Sequence, residues 1–255
     1  MSQHRKTVYA GRLVQVVQYS VANGSPSAQV RAGKLKATTE AQRKLNFRHS
    51  YEKLALILAA NFPKGSDIAV LEYDDEHLPK TRKRIDADLK AFRKRAEREW
   101  RRRGKVFRMA WAVEDKHGGG RPHVHIVVTR CGGDDSALIY KLWGKGQTDR
   151  FFTHLRTGMD ENHISLARYM AKEAEDRANS RHTWHVTKNC VRPVVDIEKY
   201  IPDGVTLAAP KGAMVLEQEV HRTEHGCWSY LKYYVPEDAP EKTQRMLRAH
   251  GGSFI

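Results

Sequence analysis

The run His123-Val124-His125-Ile126-Val127-Val128-Thr129 alternates with a period of two, and an extended strand is the backbone that turns such a period into two faces. Val124, Ile126 and Val128 go to one side, which their apolar character assigns to a core. His123 and His125 go together to the other. Residues 106–114 read as a second strand, and the segment 115–122 between them, with Gly118-Gly119-Gly120, suits a hairpin connection. A polar pair on one face of an otherwise apolar ribbon requires a sheet covered on its Val124 side.

The rest of the chain supplies the cover. Over residues 39–61, Phe47, Tyr51, Leu54, Leu58 and then Phe62 recur at spacings of three and four, which predicts an amphipathic helix. A strand is expected over 68–73. Pro79 opens a long helix reaching about Arg103, with an apolar stripe of Ile85, Leu89, Phe92, Ala96 and Trp100. Its outer faces are dense in Arg and Lys, as a solvated surface or a phosphate-tracking one would be. Shorter helical patterns follow over 137–143 and 162–178, then an extended stretch over 184–195. Residues 8–19 are strand-like and lead to the turn-rich Asn23-Gly24-Ser25-Pro26-Ser27.

The order strand, helix, strand, strand, helix, strand predicts an α+β fold, a ferredoxin-like or RNA-recognition-like antiparallel sheet with helices packed on it. At 255 residues the chain accommodates one ordinary domain with appendages, or two small ones. We expect an N-terminal extension over 1–62, strand plus helix packing on the core, a main domain over 63–200, and a C-terminal extension over 201–255.

Lys and Arg outnumber Asp and Glu by 45 to 30, for a formal charge of +15. That excess favours a polyanionic partner, through release of the counterions that phosphates hold. No apolar run approaches the roughly 20 residues of a spanning helix, so no membrane partner is expected. Cys131, Cys190 and Cys227 form no CxxC pair, which argues against a zinc knuckle or a disulfide framework and suits a reducing cytoplasm.

Two imidazoles about 7 Å apart along one strand face can converge on one ion, and imidazole suits Mn, Zn or Ni. In the preceding strand Ala110, Ala112 and Glu114 share the face opposite Met109, Trp111 and Val113. Glu114 can therefore add an oxygen ligand beside the pair, with open positions left for substrate and water. Further on, Ile164, Ala167, Met170, Ala171 and Ala174 make the apolar stripe of a helix. Tyr169 falls nearly opposite its middle, with Lys172 projecting on the same side. A phenol beside an ammonium is placed for nucleophilic attack on a phosphodiester.

Together these residues resemble the HUH endonuclease superfamily, in particular the single-tyrosine rolling-circle replication initiators of phages and plasmids. The resemblance spans about residues 46–193. It is carried by Gly120-Arg121-Pro122-His123-Val124-His125 and Tyr169-Met170-Ala171-Lys172-Glu173, supported by Asn61-Phe62, Val70-Leu71-Glu72-Tyr73, Trp143-Gly144 and Trp184-His185-Val186-Thr187-Lys188. It implies that His123, His125 and Glu114 hold Mg²⁺ or Mn²⁺, that Tyr169 is the nucleophile, and that Lys172 helps place the phosphate or metal-bound water. It also implies nicking of single-stranded DNA or an origin hairpin through a 5′-phosphotyrosine, in a bacterial host cell whose helicase and polymerase would be partners. One departure is Glu72, where the family commonly has threonine, and we leave it outside the site. No Walker-type loop is present, so no helicase is appended.

Arg121 and Lys116, near the histidines, and Arg181, Trp184 and Lys188 beyond the tyrosine helix combine cations with an aromatic platform, as single-strand binding requires. Trp184 is equally suited to core packing. Tyr230, Tyr233 and Tyr234 form a further aromatic cluster whose role the sequence leaves open. The competing functions are a non-catalytic nucleic-acid-binding domain, a single-tyrosine HUH transposase, and a hydrolase in which water attacks.

Overall fold

A computed structural model describes residues 2–21, 40–115, 121–148, 152–155, 163–172, 183–202, 204–224 and 226–250. In chain order the first elements are β1 (Ser2–Ala10), β2 (Leu13–Val21), α1 (Glu40–Asn61), β3 (Asp67–Glu72), α2 (Arg82–Arg102), β4 (Met109–Glu114) and β5 (His123–Val128). They are followed by α3 (Asp135–Trp143), β6 (Thr153–His154), α4 (Ile164–Ala171), β7 (Trp184–Val186), β8 (Val194–Ile201), β9 (Met214–Thr223), β10 (Gly226–Tyr234) and α5 (Glu241–Ala249). The chain divides into two compact units, Arg43–Val191 and a second made of Met1–Gln42 with Arg192–Ile255.

The larger unit is built on a five-stranded sheet in the order β6-β3-β5-β4-β7, antiparallel at every neighbour. Its first four strands follow the ferredoxin-like order, and β7 is added beside β4. One face carries Ala69, Leu71, Met109, Trp111, Val113, Val124, Ile126 and Val128, packed against the α2 stripe of Ile85, Leu89, Phe92, Ala96 and Trp100. From α3, Ile139 and Trp143 join that core. The other face is covered at Ala110, Ala112 and Val127 by Leu54, Leu58 and Phe62 of the α1 segment and by Ala167 and Met170 of α4. Two small alanines let helices approach where bulkier residues would hold them away.

Helix α2 begins later than Pro79 would have it. The Thr81 hydroxyl accepts from Arg84 N at 3.3 Å and caps a helix that starts at Arg82. Several of its outer arginines are matched to acids on the same helix, Arg82 to Asp86, Arg84 to Asp88, Arg101 to Glu97 and Arg102 to Glu99. That pattern is a solvated helix face laced with short-range ion pairs.

The second unit has its own five-stranded sheet, in the order β8-β1-β2-β10-β9. Tyr9, Val14, Val16, Leu231, Tyr233 and Val235 line its packed face with Leu247 of α5. Of the C-terminal tyrosines, Tyr233 is core. The hairpin β1–β2 is thus joined on both sides by strands from the far end of the chain, with Val8 the register partner of Val195 and Val16 that of Leu231. The boundaries expected from the sequence are 62/63 and 200/201, whereas the units divide at 42/43 and 191/192. The extended stretch expected over 184–195 is accordingly split between β7 and β8, with a turn closed by Cys190 N donating to Thr187 O at 3.0 Å. Among the described residues no helix is long and apolar enough to cross a membrane.

Candidate metal centre and catalytic cleft

The β4–β5 pairing makes Glu114 the register partner of His123, and Ala112 that of His125. Directly opposed residues of an antiparallel pair share a face, so Glu114, His123 and His125 rise from the sheet side that α1 and α4 cover. Glu114 Oε2 lies 3.1 Å from His123 Nε2 and 3.0 Å from His125 Nε2. The two rings approach edge to face, with centroids 4.9 Å apart. Their ligand atoms and that of Glu114 all lie within 4.8 Å of one another. Two imidazole nitrogens and one carboxylate oxygen on a single side are a donor set that fits a divalent cation and keeps positions open.

Helix α4 brings the remaining two groups. Ala167, Met170 and Ala171 are buried against the sheet, while Tyr169 stands 48 % exposed on the opposite side of the helix. Its ring meets His125 edge to face at 4.8 Å. Lys172 Nζ sits 4.2 Å from the centre of the Tyr169 ring and 2.5 Å from Glu114 Oε2. Glu114, His123, His125, Tyr169 and Lys172 line one cleft of about 660 Å³, whose apolar wall includes Ile68, Val70, Ile126 and Leu166.

Charge inside this cluster is finely balanced. Burial pushes the Glu114 carboxyl up, but hydrogen bonds from Lys172 and His125 and the nearby His123 outweigh it and bring it down to about 2. Burial lowers His125 against the opposing hydrogen bond from Glu114, which favours the neutral imidazole a metal requires. Lys172 is raised: burial opposes its charge, and the Glu114 hydrogen bond and charge prevail. An ionised carboxylate, a neutral imidazole and an ammonium therefore coexist at neutral pH.

The other expected contacts are scattered. Arg121 lies on an adjoining cleft of about 390 Å³ that also includes His123. Its Nε donates to Tyr73 O at 2.9 Å, and its guanidinium pairs with Asp75. Trp184 packs among the residues around α1, and its indole N–H donates to Ser50 Oγ at 2.9 Å. Lys188 is exposed, two residues past β7, where Thr187 N donates to Met109 O. That is the start of β4, and Glu114 is its end. Lys116 and Arg181 fall outside the described residues. The structure thus gathers Glu114, His123, His125, Tyr169 and Lys172, sets Arg121 on the rim, and does not bring Trp184 or Lys188 to the cleft.

Glu72 is the residue that sequence reasoning sets aside. It is the register partner of His123 on β3, as Glu114 is on β4, and it lines both clefts. Strand periodicity puts Glu72 on the face of Ile68 and Val70, yet only the pairing of β3 with β5 shows that this face carries the histidines.

Residues 68–178 match a family of replication-associated proteins, the one described under the name Replication-associated protein ORF2. No curated protein and no solved structure matches the chain.

Proposed function

We propose that the chain is a metal-dependent endonuclease and strand transferase that nicks single-stranded DNA to initiate rolling-circle replication. The observation that carries this reading is the convergence of Tyr169, Lys172, Glu114, His123 and His125 on one cleft. The match of residues 68–178 to a replication-associated family supports the setting.

Glu114, His123 and His125 would hold Mg²⁺ or Mn²⁺, which supplies Lewis-acid polarisation of a phosphate's non-bridging oxygens. Tyr169 attacks the scissile phosphorus. A P–O bond forms to the phenol oxygen as the bond to the 3′ oxygen breaks, the phenol proton passes to solvent, and the departing oxygen takes one up. The products are a 5′-phosphotyrosine and a free 3′-hydroxyl from which synthesis can be primed. The same exchange in reverse reseals the strand. Lys172 lowers the cost of phenolate beside it and orients the Glu114 carboxylate. Arg121, with its guanidinium already held by Tyr73 O, takes a flanking phosphate on the rim.

A random single-stranded DNA pool incubated with the protein and Mn²⁺, denatured, and assayed for DNA that stays attached to protein tests this reading. Covalent capture is expected with the native chain and lost in Tyr169→Phe. Cleavage that survives Tyr169→Phe would mean that water attacks, and binding with neither cleavage nor adduct would mean a non-catalytic binder.

A further inference from the structure

The second unit's sheet has one face packed against α5 and another that is not part of that core. Across this other face runs a single row of rings, one from each of the five strands. Tyr19 is the register partner of His4 on one side and of Trp228 on the other, and Trp228 is that of His221. Tyr200 of β8 completes the row, 5.9 Å from His4 between ring centres. His4 and Tyr19 are 6.0 Å apart, and His221 and Trp228 5.3 Å. In the next row Tyr230 lies 6.0 Å from Trp228 with the two planes only 4° from parallel. With strands about 4.8 Å apart, five positions span roughly 19 Å.

These rings are open to solvent. Tyr200 is 76 % exposed, Tyr19 38 % and Trp228 36 %, and the exposed Val195 and Ile197 extend the patch along β8. Tyr200 holds a left-handed φ of 63°, at the point where the β1–β8 register shifts between Gln3 and Arg5. A bulge re-aims a side chain, and a bulky residue at positive φ is a strained choice. Here it delivers the ring to the row. Large apolar side chains left together on a surface mark a binding site.

We propose that this aromatic row is a platform on which the bases of single-stranded DNA stack. Aromatic residues on an open sheet face take two or three bases in this way. The imidazoles of His4 and His221 and the exposed Lys6 one row along supply groups suited to phosphate. The acids on this face are already engaged, Glu219 with His221 and Glu217 with Lys232. The net charge of +15 draws a polyanion and disfavours a second copy of the chain as occupant. This site lies outside the residues that match the replication-associated family, and it stands independently of the nicking chemistry.

The test is the affinity of the full chain, carrying Tyr169→Phe so that nothing is cut, for a labelled thymidine strand of about 20 nucleotides, longer than the roughly 4–16 that one single-strand-binding fold covers. Tyr200→Ala and Trp228→Ala are each expected to weaken binding at least about fivefold, and Trp228→Phe, which keeps a ring, to stay within about twofold. Mn²⁺ affinity should be unchanged in all three. Equal affinity in both alanine variants would overturn the proposal, as would loss of self-association in sedimentation with DNA affinity intact. Should the alanine variants fail to fold, quenching of tryptophan emission by the same strand decides it. Quenching should fall in Trp228→Phe, and equal quenching in that variant would refute stacking at this row.

Discussion

The two sheets of this chain have five antiparallel strands each and put their rings and charges to opposite uses. In the larger unit the site face is covered by α1 and α4, and its polar residues are sunk among apolar ones: Glu114 and His125 are buried. In the second unit the ring-bearing face is open, and its residues are exposed and only loosely paired. Burial strengthens electrostatics and so suits a site that must hold a cation and stabilise developing charge. Exposure suits a surface that must accept any base, since every base has a stacking face. The contrast predicts that the two sheets can be damaged separately.

The largest separation should come from Glu114→Gln. One oxygen, Glu114 Oε2, faces His123, His125 and Lys172, so the amide leaves the ammonium without its counter-charge and removes a ligand. We expect Mn²⁺ affinity to fall by at least about 100-fold and adduct formation by about 10³ or more, with thymidine-strand binding within about twofold. Mn²⁺ titration and single-turnover adduct assays measure the first two. A variant that kept metal affinity would remove Glu114 from the ligand set.

Lys172→Met sharpens the same comparison from the other side. Loss of the ammonium beside the phenol should slow adduct formation by about 10²–10³, the scale for removing one charge-stabilising donor. The pH dependence has a defined sign. Lys172 is one of the groups holding Glu114 down to about 2, so without it the carboxyl titrates at higher pH. Mn²⁺ binding should then be lost earlier on acidification. An acid limb in the same place would mean that Lys172 does not tune the carboxylate.

Much of the larger sheet was legible because its signals are local. The alternation at His123–Val128, the stripe from Ile85 to Trp100 and the position of Tyr169 opposite Met170 and Ala167 each follow from the period of one element. The second sheet was not legible, because its existence depends on β1 and β2 meeting strands from the other end of the chain. No local period reports such a pairing. For the same reason Tyr200, Tyr19 and Trp228 read as three unrelated aromatics, and Glu72 as a stray acid, until strand register put each beside a histidine.

A smaller effect concerns stability. Asp67, fully buried at the start of β3, has its carboxyl pushed up by burial and by the neighbouring Asp135, with His154 at 2.9 Å only partly opposing this. The unfolded chain gives up this proton at lower pH than the folded one, so stability falls as pH rises from the ordinary carboxylate range toward the raised value. Asp67→Asn cannot ionise. Urea unfolding at about pH 4 and about pH 7 should show that decline in the native chain and a flatter profile in the variant, a difference on the order of 1 kcal/mol or more. An unchanged slope would assign the proton elsewhere.

The smallest expected effect is that of Lys188→Ala, and it tests how far the bound strand runs along the larger sheet. Lys188 sits past the end of β7 beside Met109, while the metal ligands sit at the other end of β4. The length of β4, at about 3.3 Å per residue, separates the two by roughly 17–20 Å, about two screening lengths at physiological salt. An exposed lysine so placed should cost less than about 0.5 kcal/mol of stability when removed. The adduct rate should stay within about twofold, and the salt dependence of DNA binding should flatten by less than one phosphate's worth. A tenfold loss of rate would mean that the scissile strand is clamped along the full length of β4. The cleft beneath α4 would then be one end of a longer groove.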